Sequence, residues 1–165
     1  MTHDLHITLD ESLTDPRIAA FLKEHLADMR RVSPPESVHA LDLHALHQPS
    51  IRFWTAWLGD ALVGTAALKR LDGEHAELKS MRTTAALRGQ GIAARMLEHT
   101  ISQARALGHS RMSLETGSQP FFAPARALYA KHGFEACGPF GGYGPDPNSY
   151  FMTRVLRGNL LRARE

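Results

Sequence analysis

Six consecutive residues, Arg88-Gly89-Gln90-Gly91-Ile92-Ala93, have the types and spacing of an anion-binding turn. They lie between a predicted strand and a predicted helix, where successive backbone amides and the helix dipole converge on a negative group. Gly89 and Gly91 carry no Cβ atom, so a bulky diphosphate can approach the backbone closely. Arg88 adds a cation at the rim. The segment therefore predicts a pyrophosphate-binding corner.

The same residues also begin the pattern Gly89-x-Gly91-x-x-Ala94, a tolerated form of the dinucleotide-binding fingerprint. Glu115, near the end of the next predicted strand, lies where a ribose-binding carboxylate would be in such a fold. However, the segment follows a series of hairpins, and too few βαβ units remain for a doubly wound sheet. A nicotinamide-dependent enzyme is therefore a lesser alternative. A Walker phosphate loop is excluded because no Gly-Lys-Ser/Thr follows.

The elements around this segment predict a mixed α/β (α+β) protein that begins with antiparallel hairpins. The clearest helix is the apolar stripe of 89–107, which ends at Gly108. Gly59-Asp60 and Asp72-Gly73 are turn signals that join three strands into a meander. The predicted strands are 5–9, 51–58, 61–69, 76–84, 111–116, 134–137 and 149–156, and the predicted helices are 15–29, 37–47, 89–107 and 124–131.

Length and composition predict a single domain over residues 1–165. The chain is 43% hydrophobic and has a formal net charge of +2, with its charges scattered along the sequence. This balance favours neither a nucleic-acid nor a membrane partner, and every apolar run is too short to span a bilayer. A lone cysteine, Cys137, and the lack of a signal-peptide pattern predict a cytoplasmic protein.

Two further features bear on a site. Three histidines, His39, His44 and His47, fall within nine residues, but no carboxylate and histidine complete a zinc spacing, so no metal is predicted. The loop at 138–147 is rich in Gly and Pro. It either frames a substrate mouth or is a plain connection.

Two motifs carry a resemblance to a known family. Arg88 to Ala93 resembles the Arg-x-x-Gly-x-Gly/Ala pyrophosphate motif of the GCN5-related N-acetyltransferase (GNAT) superfamily, and 125–134, Ala-Arg-Ala-Leu-Tyr-Ala-Lys-His-Gly-Phe, is similar to its Ala-x-x-Leu-Tyr-x-x-x-Gly-Phe segment. The resemblance covers roughly residues 53–156. The segments 77–83, 114–118 and 146–149 look similar to those of a bacterial group of small uncharacterised acetyltransferases.

The resemblance implies a fold and a cosubstrate. The fold is a single GNAT-like domain with a central, mostly antiparallel, splayed sheet flanked by helices, and the cosubstrate is acetyl-CoA, with no metal. Strand amides around Met81 to Thr83 are expected to pair with the pantetheine arm and to polarise the acetyl carbonyl. The expected cofactor-binding residues are Met81, Thr83, Arg88, Gly89, Gln90, Gly91, Ile92, Ala93, Ala125 and Tyr129.

The resemblance also implies catalytic roles. Glu77, eleven residues before Arg88, is in the place of the family's general base. The alternative is a solvent-facing residue that pairs with Lys69 or Lys79. Tyr129 is expected to be the general acid, because a phenol with a pKa near 10 suits a thiolate leaving group, although a packed helix aromatic is the alternative.

The acceptor side is less defined by sequence. Glu115 is expected to anchor the substrate amine or to serve as a second base, against a structural ion pair. Phe122 stands where many relatives carry Asn, and it either caps the acceptor pocket, packs against the pantetheine arm or fills the core. The predicted reaction is direct acetyl transfer to the amine of a small molecule, amino acid or xenobiotic. A homodimer is allowed, and a non-catalytic acyl-CoA sensor is the alternative function.

Overall fold

A computed structural model describes residues 4–37 and 43–156. Short 3-10 turns lie at Pro35–Ser37, Ala45–His47, Ala85–Leu87 and Pro120–Phe122. The helices are α1 (Pro16–Val32), α2 (Ile92–Ala106) and α3 (Ala123–Lys131). The strands are β1 (His6–Leu9), β2 (Ile51–Leu58), β3 (Ala61–Arg70), β4 (His75–Thr83), β5 (Arg111–Gly117), β6 (Glu135–Cys137) and β7 (Ser149–Val155).

The seven strands form one sheet in the order β1-β2-β3-β4-β5-β7-β6. Only β4 and β5 pair in parallel, and all other neighbours are antiparallel. The predicted fold class, a mostly antiparallel sheet flanked by helices, is confirmed. A doubly wound dinucleotide-binding sheet would be built from parallel strands, so the nicotinamide alternative is wrong for this fold.

Helices cover both faces of the sheet. The apolar stripe of α2, with Met96 and Leu97 fully buried, packs against one face and forms the larger core with Leu78 and Leu114. On the other face, Ile18 and Leu22 of α1 pack against Phe53 and Ala67. Glu77 and Lys79 lie on this α1 face, because they stand opposite Lys69 and Ala67 in the ladder.

Strand β4 is irregular near its C-terminal end. Ser80 and Met81 together stand opposite the single residue Ala66, which makes a β-bulge. Ser80 has a positive φ of 52°, and the Thr65 hydroxyl donates to its carbonyl at 2.8 Å. The parallel pairing with β5 ends at Leu78 and Leu114. The two strands therefore separate beyond these residues, as the splayed sheet implied by the resemblance requires.

Two sequence predictions need correction. The helix predicted at 37–47 is wrong in its described part, which holds only the 3-10 turns at Pro35–Ser37 and Ala45–His47; residues 38–42, including His39, lie outside the described residues. The described residues on either side of that gap lie close to Pro35 and Pro49, and a proline within a helix removes a backbone hydrogen bond. The helix predicted from residue 89 begins at Ile92, because Gly89 and Gly91 both have positive φ.

Candidate active site

A cavity of about 110 Å³ opens where β4 and β5 part. It brings together six residues that the sequence singled out from four separate segments. Two residues of α1, His25 and Met29, also line it, although nothing in the sequence pointed to them. The six predicted residues are Glu77, Met81, Glu115, Phe122, Ala125 and Tyr129.

Glu77 lies on the cavity wall and is only 3% exposed. Its Oε2 accepts a hydrogen bond from the Tyr143 hydroxyl at 2.5 Å and pairs with Lys79 Nζ at 3.1 Å. Lys79 Nζ also donates to the Tyr143 oxygen at 2.8 Å. The ion pair with Lys79 that the sequence allowed is present, but the solvent-facing position is not. Two donors thus hold a buried carboxylate in one orientation.

Tyr143 was missed by the sequence reasoning. It lies in the loop between β6 and β7, and its ring packs against Phe140 and Phe151, with centroids 5.3 and 5.5 Å away. The loop thereby covers the polar part of the α1 face and delivers a hydroxyl to Glu77. The Gly- and Pro-rich composition marked this loop, but a single tyrosine in a loop has no periodicity that would reveal its partner.

Glu115 is the first residue of β5 beyond the parallel pairing. Its Oε2 accepts a hydrogen bond from the Ser149 hydroxyl at 2.7 Å. Burial raises the pKa of this carboxyl to about 7, and the Ser149 hydrogen bond and the Lys79 charge lower it only in part. Proton exchange close to neutral pH suits either a base or an anchor for an ammonium group.

Tyr129 and Phe122 close the cavity from the side of α3. Tyr129 is 6% exposed, packs edge-on against Phe134, and has its pKa raised by burial, which favours the protonated phenol. Phe122 is 8% exposed and occupies the space beside Gly117 that a Cβ atom would fill. It therefore both packs in the interior and lines the cavity.

The predicted pyrophosphate corner is open. Gly89 and Gly91 have φ of 83° and 84°, and a Cβ atom built on either would meet no atom within 4 Å. Gly91 caps the 15-residue helix α2, so its N-terminal amides are directed at this corner. Arg88 and Gln90 are exposed, whereas the Ile92 side chain is buried in the core. Ile92 can therefore contribute only its backbone.

The acceptor side is braced by Arg82, which the sequence reasoning also missed. Its guanidinium donates to Glu24 and Asp28 of α1, both at 2.8 Å, and lies over the Phe21 ring. Burial and the Arg82 charge lower the pKa of His25 to about 4, so this cavity residue is neutral near pH 7. Arg82 thus fixes α1 over β4.

Within 4–37 and 43–156, no three His, Cys, Asp or Glu side chains are arranged to hold a metal ion. In the same ranges, no helix is long and apolar enough to cross a membrane.

Comparison with protein families decides the class of protein. Residues 18–134 match the family described as the acetyltransferase (GNAT) family. The chain belongs to the GNAT family. Its membership confirms the resemblance carried by the two motifs.

The GNAT relatives of this chain are similar over most of their length. The uncharacterised N-acetyltransferase YsnE of Bacillus subtilis is 51% identical, over 92% of this chain and 100% of its own. The uncharacterised N-acetyltransferase YedL of Escherichia coli is 44% identical, over 88% and 92%. A protein of Azospirillum brasilense named IAA acetyltransferase is 43% identical, over 82% and 86%. The chain is accordingly an acetyltransferase.

Solved acetyltransferase structures share its fold. An acetyltransferase from Streptococcus agalactiae superposes with a TM-score of 0.71 at 22% identity, covering 93% of this chain and 99% of the other. A GNAT acetyltransferase from Elizabethkingia anophelis with acetyl-CoA bound gives 0.64 at 18% identity, over 93% and 99%. A Bacillus subtilis acetyltransferase in complex with CoA gives 0.64 at 20% identity, over 92% and 99%.

Proposed function

We propose that the protein transfers the acetyl group of acetyl-CoA directly to the amine of a small molecule. The observation that carries this proposal is the cavity in the strand gap, where the buried Glu77, the half-buried Glu115 and the buried Tyr129 face one space. An amine acceptor needs a group to take its proton, and a thiolate needs a group to supply one. Both kinds of group are present.

The donor would lie along the open side of β4. The diphosphate of acetyl-CoA would bind the amides of 89–93, with Arg88 and Gln90 at the rim. Beyond Leu78, β4 is not paired with β5, so the amides among Met81 to Thr83 that are directed away from β3 can pair with the pantetheine arm and stabilise the carbonyl oxygen. Ala125 and Tyr129 would flank the thioester. The acetyl-CoA and CoA complexes of two structural neighbours support this cosubstrate.

The proposed reaction is a direct transfer. Glu115 holds the acceptor as an ammonium, and Glu77 takes the proton that frees the nitrogen lone pair. The nitrogen attacks the thioester carbon, a new C–N bond forms, and the C–S bond breaks. Tyr129 donates its proton to the departing thiolate, which leaves as the CoA thiol. The nitrogen then loses its second proton, which restores the phenol through solvent, and Glu77 releases the first proton to solvent. Glu77 and Tyr129 are the proposed catalytic residues.

Thiol release tests the proposal. The purified protein is incubated with acetyl-CoA and a panel of amines, free CoA is measured with a thiol reagent, and the acetylated products are identified by mass spectrometry. We expect release that depends on the acceptor. Cofactor binding without acceptor-dependent release across the panel would instead establish the sensor alternative.

The variant Tyr129→Phe tests the general acid. We expect turnover to fall on the order of 10²-fold with unchanged acetyl-CoA affinity, because only the proton donor is lost. Tyr150→Phe is the matched control, since its ring lies against Arg126 and it does not line the cavity. Wild-type turnover in Tyr129→Phe would remove this residue from the mechanism.

A further inference from the structure

The two carboxylates that line the cavity, Glu77 and Glu115, differ in whether a basic side chain pairs with them. The ionisable wall residues of the cavity are His25, Glu77, Lys79, Glu115 and Tyr129. Lys79 is only 9% exposed at its side chain, and its ammonium group contacts Glu77 and Tyr143. The negative charge of Glu77 therefore has a counter-ion within the wall.

Glu115 forms no salt bridge in the described ranges, 4–37 and 43–156, and the Lys79 charge that acts on it is already paired with Glu77. Its partner at 2.7 Å is the neutral hydroxyl of Ser149. The other nearby basic groups are engaged or uncharged. Arg82 is paired with Glu24 and Asp28, and His25 is held neutral by burial and by Arg82. Desolvation disfavours the ionised form of a carboxylate that has no salt bridge, and a cationic ligand offsets that cost.

We propose that the acceptor is a cationic amine without a carboxylate group, whose ammonium pairs with Glu115, and that α-amino acids are rejected. The inference rests on the proposed function and narrows it. An α-amino acid would bring a third carboxylate beside Glu77 and Glu115, where no unpaired basic side chain lines the described wall. Like charges placed together at a binding site are a means of excluding the wrong ligand.

The state of Glu115 agrees with this inference. Its pKa of about 7 leaves part of the population protonated at neutral pH. An adjacent ammonium favours the ionised carboxylate, because an opposite charge stabilises the charged form. Binding of a cationic acceptor therefore coincides with ionisation of the group that anchors it.

Matched acceptors separate charge from size. Tyramine, tyrosine and tyrosine methyl ester share one ring and one amine, but only tyrosine carries a carboxylate. Ethanolamine and serine make a smaller pair. We expect kcat/KM for each amine to exceed that of its amino acid by about 10-fold or more, a free-energy difference of roughly 1.4 kcal/mol. The methyl ester is expected to behave like tyramine despite its greater bulk.

The variant Glu115→Gln tests whether Glu115 causes the preference for amines over amino acids. It keeps the size of the side chain and removes the charge, so the amine-to-amino-acid ratio should fall toward one. Glu98→Gln is the control, because Glu98 is exposed on α2 and pairs with His132 away from the cavity. Its ratio should equal that of the wild type.

The outcomes are distinct. Equal or better use of the amino acids, or rejection of the methyl ester together with tyrosine, overturns the inference and leaves the transfer reaction intact. Absence of acceptor-dependent thiol release with every compound refutes the proposed function. In that case calorimetric titration of the same compounds into the CoA-loaded protein still measures the preference, and equal affinities, or no binding of any of them, overturn the inference separately.

Discussion

Replacing Gly91 by alanine separates the role of this residue in folding from its role in binding. Gly91 caps α2 with a φ of 84° and has open space where a Cβ atom would be. The left-handed conformation costs a residue with a side chain about 1 to 2 kcal/mol. For a chain of this size that corresponds to a melting temperature roughly 2 to 8 °C lower. The unliganded protein has no atom for the new methyl group to displace.

The effect on acetyl-CoA should be larger. The methyl group would occupy space that the diphosphate needs beside the helix amides. Loss of one hydrogen bond to a charged group costs about 1.5 to 3 kcal/mol, which raises Kd roughly 10- to 150-fold. Isothermal titration calorimetry with acetyl-CoA measures this change, and thermal denaturation measures the stability.

The same helix supplies a matched control. Gly108 follows α2 at its other end with a φ of 90°, and a Cβ atom there would also meet nothing within 4 Å. Gly108→Ala should therefore lose similar stability and keep the wild-type Kd. Equal affinities in the two variants would refute the assignment of the pyrophosphate to the corner at Gly91.

Three further predictions concern the acceptor side. Tyr143→Phe removes a hydrogen-bond donor from the buried Glu77 but keeps the ring contacts, so the free energy of unfolding in urea should fall by about 1.5 to 3 kcal/mol. Tyr150→Phe is the control, and equal losses in the two variants would contradict a special role for the Tyr143 hydroxyl. Glu115→Gln tests how protonation of Glu115 is coupled to folding. The folded state raises the pKa of Glu115 from 4.5 to about 7. The protonated side chain therefore stabilises the folded state below pH 4.5, and this stabilisation is lost as the pH rises to 7. The variant should therefore gain stability relative to wild type between pH 5 and 8, on the order of 3 kcal/mol, and a constant difference in thermal denaturation would refute the shift. Arg82→Gln breaks both ion pairs to α1 and should lower the free energy of unfolding by about 1 to 3 kcal/mol. Arg31→Gln removes an exposed pair and should lower it by no more than about 1 kcal/mol. Similar losses in the two variants would show that Arg82 does not brace the helix.

Much of the fold could be predicted from the sequence, because apolar periodicity and turn residues indicated the same helices and strands. The stripe of α2 and the turn at Gly59 act within a few residues, and both are found where they were predicted. The strand gap followed from the family resemblance. The bulge at Ser80 and Met81 could not be read, because neither residue is a glycine and the irregularity arises from pairing with β3.

The site was predicted in part for a similar reason. Glu77, Glu115 and Tyr129 stand at motif positions, and their side chains line the same cavity. Tyr143 and Arg82 act through partners 66 and 54 to 58 residues away in the chain. No spacing rule connects residues so distant, since the tertiary fold alone decides that they meet. Met29 was predicted only as part of the apolar stripe of a helix, and His25 was not singled out, although both side chains line the cavity.

The bulge in β4 also fixes which way its side chains point. Residues three apart in a regular strand face opposite sides, yet Lys79 and Arg82 both face α1, because Ala66 opposes two residues rather than one. Deleting one of the two bulge residues is expected to turn the Arg82 guanidinium toward the apolar core of α2 and to remove its ion pairs with Glu24 and Asp28, of which Asp28 would keep its pair with Arg31. We therefore expect homologues to tolerate substitutions in this strand far better than insertions or deletions.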